Sequence, residues 1–98
     1  MPNSEADDAF FDRADAHIAL ANNQINEQAS EGEVSASFLF SASRFNAWVN
    51  AMSFENADEM KQAKDESIEF FVNEYRMMLE DNLSDYIENY DEYLQSDE

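Results

Sequence analysis

The chain has 98 residues, 23 acids, five Lys and Arg, and a net charge of −18. That length sets a single domain with one modest core, and the 13% aromatic content excludes an acidic disordered tail. One Gly and one Pro argue against a turn-rich β fold, no Cys means no disulfide framework, and the charge disfavours direct binding of nucleic acid or an anionic membrane surface.

The chain opens Met1-Pro2-Asn3-Ser4-Glu5, with no basic segment followed by an apolar one. This start predicts no secretory leader and, by default, a cytoplasmic location. A first helix is predicted from about residue 4 to 30. Ser4 with Asp7 three residues later resembles a capping box, and Glu5, Asp7 and Asp8 suit the positive end of the helix dipole. Phe10 or Phe11, Ala14, Ile18, Ala21 and Ile25 then recur at three-to-four spacing. Gly32 is placed for the helix end.

A second helix is predicted over 35–53, with Ser35 as its N-cap. The window from Val34 to Phe54 contains no acid and a single base, Arg44, whereas residues 1–33 carry eight acids and residues 55–98 carry fifteen. Val34, Phe38, Ala42, Phe45, Val49 and Met52 form one stripe, and Leu39, Ala36, Ala47, Trp48 and Ala51 fall outside it. A helix apolar most of the way round is expected to be buried, here between two others. Arg44, Asn46, Asn50 and the serines speak against a membrane span. Arg44 is expected to be buried in an ion pair. If the first two helices turn about Gly32, Asp15 lies about 7.5 Å from it along the axis. If the second and third turn about residue 55, Glu66 and Glu69 come opposite.

A third helix is predicted over 57–94, starting near Asn56 to Asp58. Met60, Ala63, Ser67 and Phe71 begin one stripe, and Ile68, Val72, Tyr75, Leu79, Leu83, Tyr86, Tyr90 and Leu94 form a second. As one rod it is about 57 Å long, and Asn82 and Ser84 mark the place for a break near 81–84 that would give a fourth helix. Residues 95–98 read as a frayed tail. The fold class predicted is all-α, an up-down bundle of three long helices.

Three blocks of the chain, FFDRADAHIALANNQ (10–24), GEVSASFLFSASRFNAW (32–48) and EFFVNEYRMMLEDNLSDYI (69–87), resemble the proteobacterial family known as domain of unknown function 3144. The resemblance spans nearly the whole chain. It implies a small cytoplasmic bacterial helical protein and carries over no activity, cofactor or catalytic residue. Glu33 and the serines of the second block depart mildly from the family pattern.

The residues themselves predict no chemistry. His17 is the lone histidine; a di-metal bundle needs two Glu-x-x-His pairs, and Ala14 stands three residues before it. There is no calcium loop and no Gly-rich phosphate loop. The chain is therefore expected not to be an enzyme, with no catalytic, cofactor-binding or metal site. Residues after about Met78 overhang the first two helices by about 25 Å. They carry Leu83, Tyr86, Ile87, Tyr90 and Tyr93 on a face too apolar to leave wet. These five are the candidate interaction residues, with Tyr86 and Tyr90 as anchors. The expected function is a non-catalytic, acidic protein–protein interaction module that can also self-associate into a homo-oligomer. The alternative is an acidic inhibitor or nucleic-acid mimic covering a basic protein surface.

Overall fold

The structure is a computed structural model that describes residues 3–95, with the side chains of residues 8–94. Every regular element among these residues is helical: α1 (Asn3–Gln24), α2 (Glu31–Ala51), α3 (Ala57–Gln62), α4 (Lys64–Glu88) and a π-helical turn, Asp91–Gln95. Three long helices and short ones make an all-helical protein, as the periodicity requires. The chain divides into two compact units, Met1–Val49 and Asn50–Glu98.

In the first unit, α1 ends six residues before the expected Ser30. Asn26 is the cause: its side-chain oxygen accepts from the backbone N–H of Gln28 (2.7 Å) and of Ala29 (3.0 Å). Asn26 and Ala29 also form an isolated antiparallel bridge. An Asn that bonds the backbone just ahead of it offers a turn in place of another helical turn. The next helix then starts at once. Ser30 Oγ accepts from the Glu33 N–H at 3.2 Å, and Glu33 Oε1 accepts from the Ser30 N–H at 2.9 Å. This capping box replaces the expected Ser35 cap. Gly32 falls inside the first turn of α2 and has no positive φ, so it ends no helix.

Burial in this unit declines with distance from the turn. Val34 is 5% exposed and is the one buried residue among residues 8–94. Phe38, one turn on, is half-buried, its ring centroid 6.3 Å from that of His17 on α1. Phe45 and Trp48, further along, are 60% and 57% exposed. Within this unit α2 is not enclosed as expected: the helix lacks acids, but residues 39–49 are exposed. The hydroxyls of Ser37 and Ser43 donate to the carbonyls of Val34 and Phe40, three residues back, at 3.1 and 2.8 Å.

The second unit begins with a capped corner. Asn56 Oδ1 accepts from the Glu59 N–H, and Glu59 Oε1 accepts from the Glu55 N–H, both at 2.9 Å. The long third helix is interrupted at Ala63 (φ −93°, ψ 3°) instead of near 81–84. Asn82 and Ser84 are exposed helical residues; with neither Pro nor Gly beside them, nothing breaks the ladder. Met60, Ala63, Ser67 and Phe71 are half-buried at three-to-four spacing, which locates what core this unit has. Phe71 meets Phe70 edge to face, with ring centroids 5.2 Å apart. α4 stops at Asn89. The side chains expected to cap the chain start, Ser4 and Asp7, and residues 96–98 of the expected tail lie outside the described residues.

Candidate functional site

Asp85 organises the C-terminal end of α4. Its backbone carbonyl accepts from the Asn89 N–H and from Asn89 Nδ2, both at 3.0 Å. Its carboxylate accepts from Asn89 Nδ2 at 3.0 Å and from the Tyr93 hydroxyl at 3.1 and 3.3 Å. Asn89 thus competes with the helix for its own last carbonyl, and α4 gives way to the π-helical turn. The turn carries Tyr93 back onto Tyr86, with ring centroids 4.9 Å apart in an edge-on arrangement. The hydrogen bond to Asp85 is the largest cause of a raised phenol pKa at Tyr93, followed by burial and the nearby charges of Asp85 and Glu92.

The five candidate interaction residues consequently split. Tyr93 is half-buried and committed to Asp85 and Tyr86. Leu83, Tyr86, Ile87 and Tyr90 remain open, at 53%, 51%, 75% and 58% exposure. Ile87 and Tyr90 also border a shallow depression of about 320 Å³ with Glu88, Asn89, Asp91 and Glu92. An isoleucine three-quarters exposed in the last turn of a helix gains nothing from water. Asp85 and Asn89 carry the local geometry without having been singled out in the sequence. Their signal is the spacing of Asp85, Asn89 and Tyr93, four residues apart each time, which stacks them along one helix face.

The burial expected of Arg44 and its pairing with Asp15 are corrected. Arg44 is exposed on α2 and makes no ion pair with Asp15, the acid expected from its own unit. Since α2 is open past Phe38, no desolvation forces a carboxylate toward the guanidinium. Glu66 and Glu69 are exposed on α4 in the other unit. His17 lies on α1 against Phe38 and lines a groove of about 490 Å³ with Leu20, Ala21, Phe38, Ala42 and Phe45 among its walls. Among the described residues no group of three or more His, Asp or Glu is placed to hold a metal ion, and no helix is long and apolar enough to cross a membrane.

Fold and surface together define a small, acidic, all-helical protein with large apolar faces. The chain belongs to the family described as protein of unknown function (DUF3144), whose profile matches residues 10–87. It is similar to the NMR structure of the protein NB7890A from Shewanella sp., with 43% identity, 89% of this chain and 92% of that chain covered, and a TM-score of 0.72. Curated proteins give no match.

Proposed function

We propose that the chain is a non-catalytic interaction module of the bacterial cytoplasm that docks a protein partner through the last three turns of α4. The observation that carries this is the exposure of Leu83, Tyr86 and Ile87 at the end of α4 and of Tyr90 just beyond it. Acids rim that face: Glu80, Asp81, Asp85, Glu88, Asp91 and Glu92, with no base after Arg76. A fitting partner presents an apolar cleft bordered by Lys and Arg. Burial of the tyrosines and Ile87 supplies the affinity, while the acids steer the approach and select against acidic surfaces. The Asp85–Tyr93 bonds brace Tyr86 in advance, which lowers the ordering cost of docking.

The second reading is an acidic inhibitor of a basic, nucleic-acid-binding surface. It rests on the eight acids and no base from Glu80 to Glu98. The two readings respond differently to salt. Capture of partners from host lysate by the full chain, at low and high ionic strength, is compared with capture by an Ile87→Ala/Tyr90→Ala chain. An interaction module loses its partner with the double substitution and keeps it in salt. A mimic keeps its partner despite the substitution and loses it in salt. Identical capture by both chains at both ionic strengths would overturn docking through this face.

A further inference from the structure

Asp85, Asn89 and Tyr93 all lie in one unit, Asn50–Glu98. We propose that they form a releasable strap: residues 89–95 open from α4 and close onto it as one piece, with Asp85 as the catch.

Three observations carry this. The first is convergence. Asn89 donates to the Asp85 carbonyl through its backbone N–H and through Nδ2, and Nδ2 and the Tyr93 hydroxyl both donate to the Asp85 carboxylate. The Tyr93 N–H donates in turn to the Asn89 carbonyl at 2.9 Å, which ties the two strap residues to each other. Bonds that share one acceptor residue form and break as a network.

The second observation is the backbone. Asn89, at φ −116° and ψ 27°, has left helical values, and the chain continues as the π-helical turn Asp91–Gln95. π-helical bonding is rare and short, so the backbone alone gives this turn little persistence. Its closure therefore depends on side chains, and the Tyr93 ring against Tyr86 at 4.9 Å is the apolar part of that closure.

The third observation is charge. Asp85, Glu88, Asp91 and Glu92 crowd the C-terminal end of α4, and no base follows Arg76. Acids at a helix C-terminus oppose the helix dipole, and like charges three or four residues apart repel. The strap meets this repulsion with two neutral donors, a phenol and an amide, gathered on one carboxylate. A segment held by so few contacts against a standing repulsion belongs to the low-stability end of a fold, where local opening precedes global unfolding.

The consequence for docking rests on the reading proposed above. Closed, the strap braces Tyr86; open, it frees Tyr86 and takes Tyr90 off its helical path. Apparent affinity then scales with the fraction of closed chains.

The test is amide hydrogen exchange of the full chain, resolved by NMR. In the parent, the Asn89 and Tyr93 amides should share one opening equilibrium and exchange faster than those of Val72 and Tyr75 in the middle of α4. Tyr93→Phe keeps the ring and removes the hydroxyl. It should lower the protection of both strap amides together, by about tenfold, and leave Val72 and Tyr75 unchanged. Asp81→Asn, which removes an acid one turn before the catch, should leave the strap at least as protected as in the parent. Unequal protection of Asn89 and Tyr93 in the parent would overturn the proposal, as would strap amides that are unprotected or that open only with the rest of α4. So would an unchanged Asn89 amide in Tyr93→Phe, or a loss spread along the whole of α4. The parent measurement needs no substitution, so a variant that fails to fold leaves the result decisive. None of these readouts uses a partner: a strap that passes, beside lysate capture indifferent to Ile87→Ala/Tyr90→Ala, keeps the device and removes only its role in docking.

Discussion

The Tyr93 hydroxyl donates to both carboxylate oxygens of Asp85, eight residues back, at 3.1 and 3.3 Å. The bond spans the end of α4 and fixes the following turn against Tyr86. It also makes that turn sensitive to alkali. Only the neutral phenol can donate, so the folded chain holds this proton more tightly than the unfolded chain and the pKa is raised. A raised folded pKa gives a contribution that is full below the ordinary phenol value of about 10 and is lost as pH rises through the folded value. Absorbance titration of the phenolates should show one late-ionising tyrosine that Tyr93→Phe removes. A Tyr93→Phe chain whose remaining tyrosines still include that late step would contradict the assignment.

The two candidate caps of α2 separate cleanly. Ser30→Ala removes the acceptor for the Glu33 N–H and is expected to cost about 1 kcal/mol. Ser35→Ala, inside the helix and exposed, exchanges serine for the better helix former and should be neutral or stabilise by a few tenths of a kcal/mol. Urea unfolding of the two variants measures both. Equal effects would show that the capping box contributes nothing.

Gly32→Ala should raise stability by about 0.5–1 kcal/mol. The glycine lies in the first turn of α2 without a positive φ, and an added Cβ would meet only Ser30 Oγ at 3.9 Å, an ordinary contact. A lower midpoint in denaturant for Gly32→Ala would mean that the glycine has the helix-ending role its sequence position suggests.

Salt should stabilise the fold. Fifteen acids against three bases in residues 55–98 repel one another in the compact state, and ions screen that repulsion. The melting temperature is expected to climb from low to moderate salt, sodium chloride sufficing. A flat melting temperature would show that the helices already hold these charges far enough apart.

Helix type and the three long helices are legible in the sequence because a 3.6-residue apolar period needs no tertiary knowledge to recognise. The ends were less legible. Gly32 outweighed Asn26 and Ser30 as punctuation, yet the structure turns on side-chain hydrogen bonds of Asn26 and Ser30 that a composition scan does not weigh. The interruption at Ala63 has no side-chain cap and hence no residue signature. The exposure of Arg44 is hidden for a different reason. Its acid-free surroundings suggest burial, but the same pattern suits a face that is open within one chain. Leu83, Tyr86, Ile87 and Tyr90 were found by spacing; that Tyr93 leaves their company depends on the turn at Asn89, which the period alone does not reveal.

The serines of α2 have a consequence for how its surface behaves. Ser37 and Ser43 hydrogen-bond carbonyls of their own helix, and Ser53, just beyond it, bonds the carbonyl of Asn50 at 2.6 Å. Covering an unsatisfied hydroxyl costs about 1–3 kcal/mol, and Ser37 and Ser43 avoid most of that penalty. These hydroxyls can be sheathed and bared repeatedly, and each event leaves their bonds to the helix's own carbonyls unchanged.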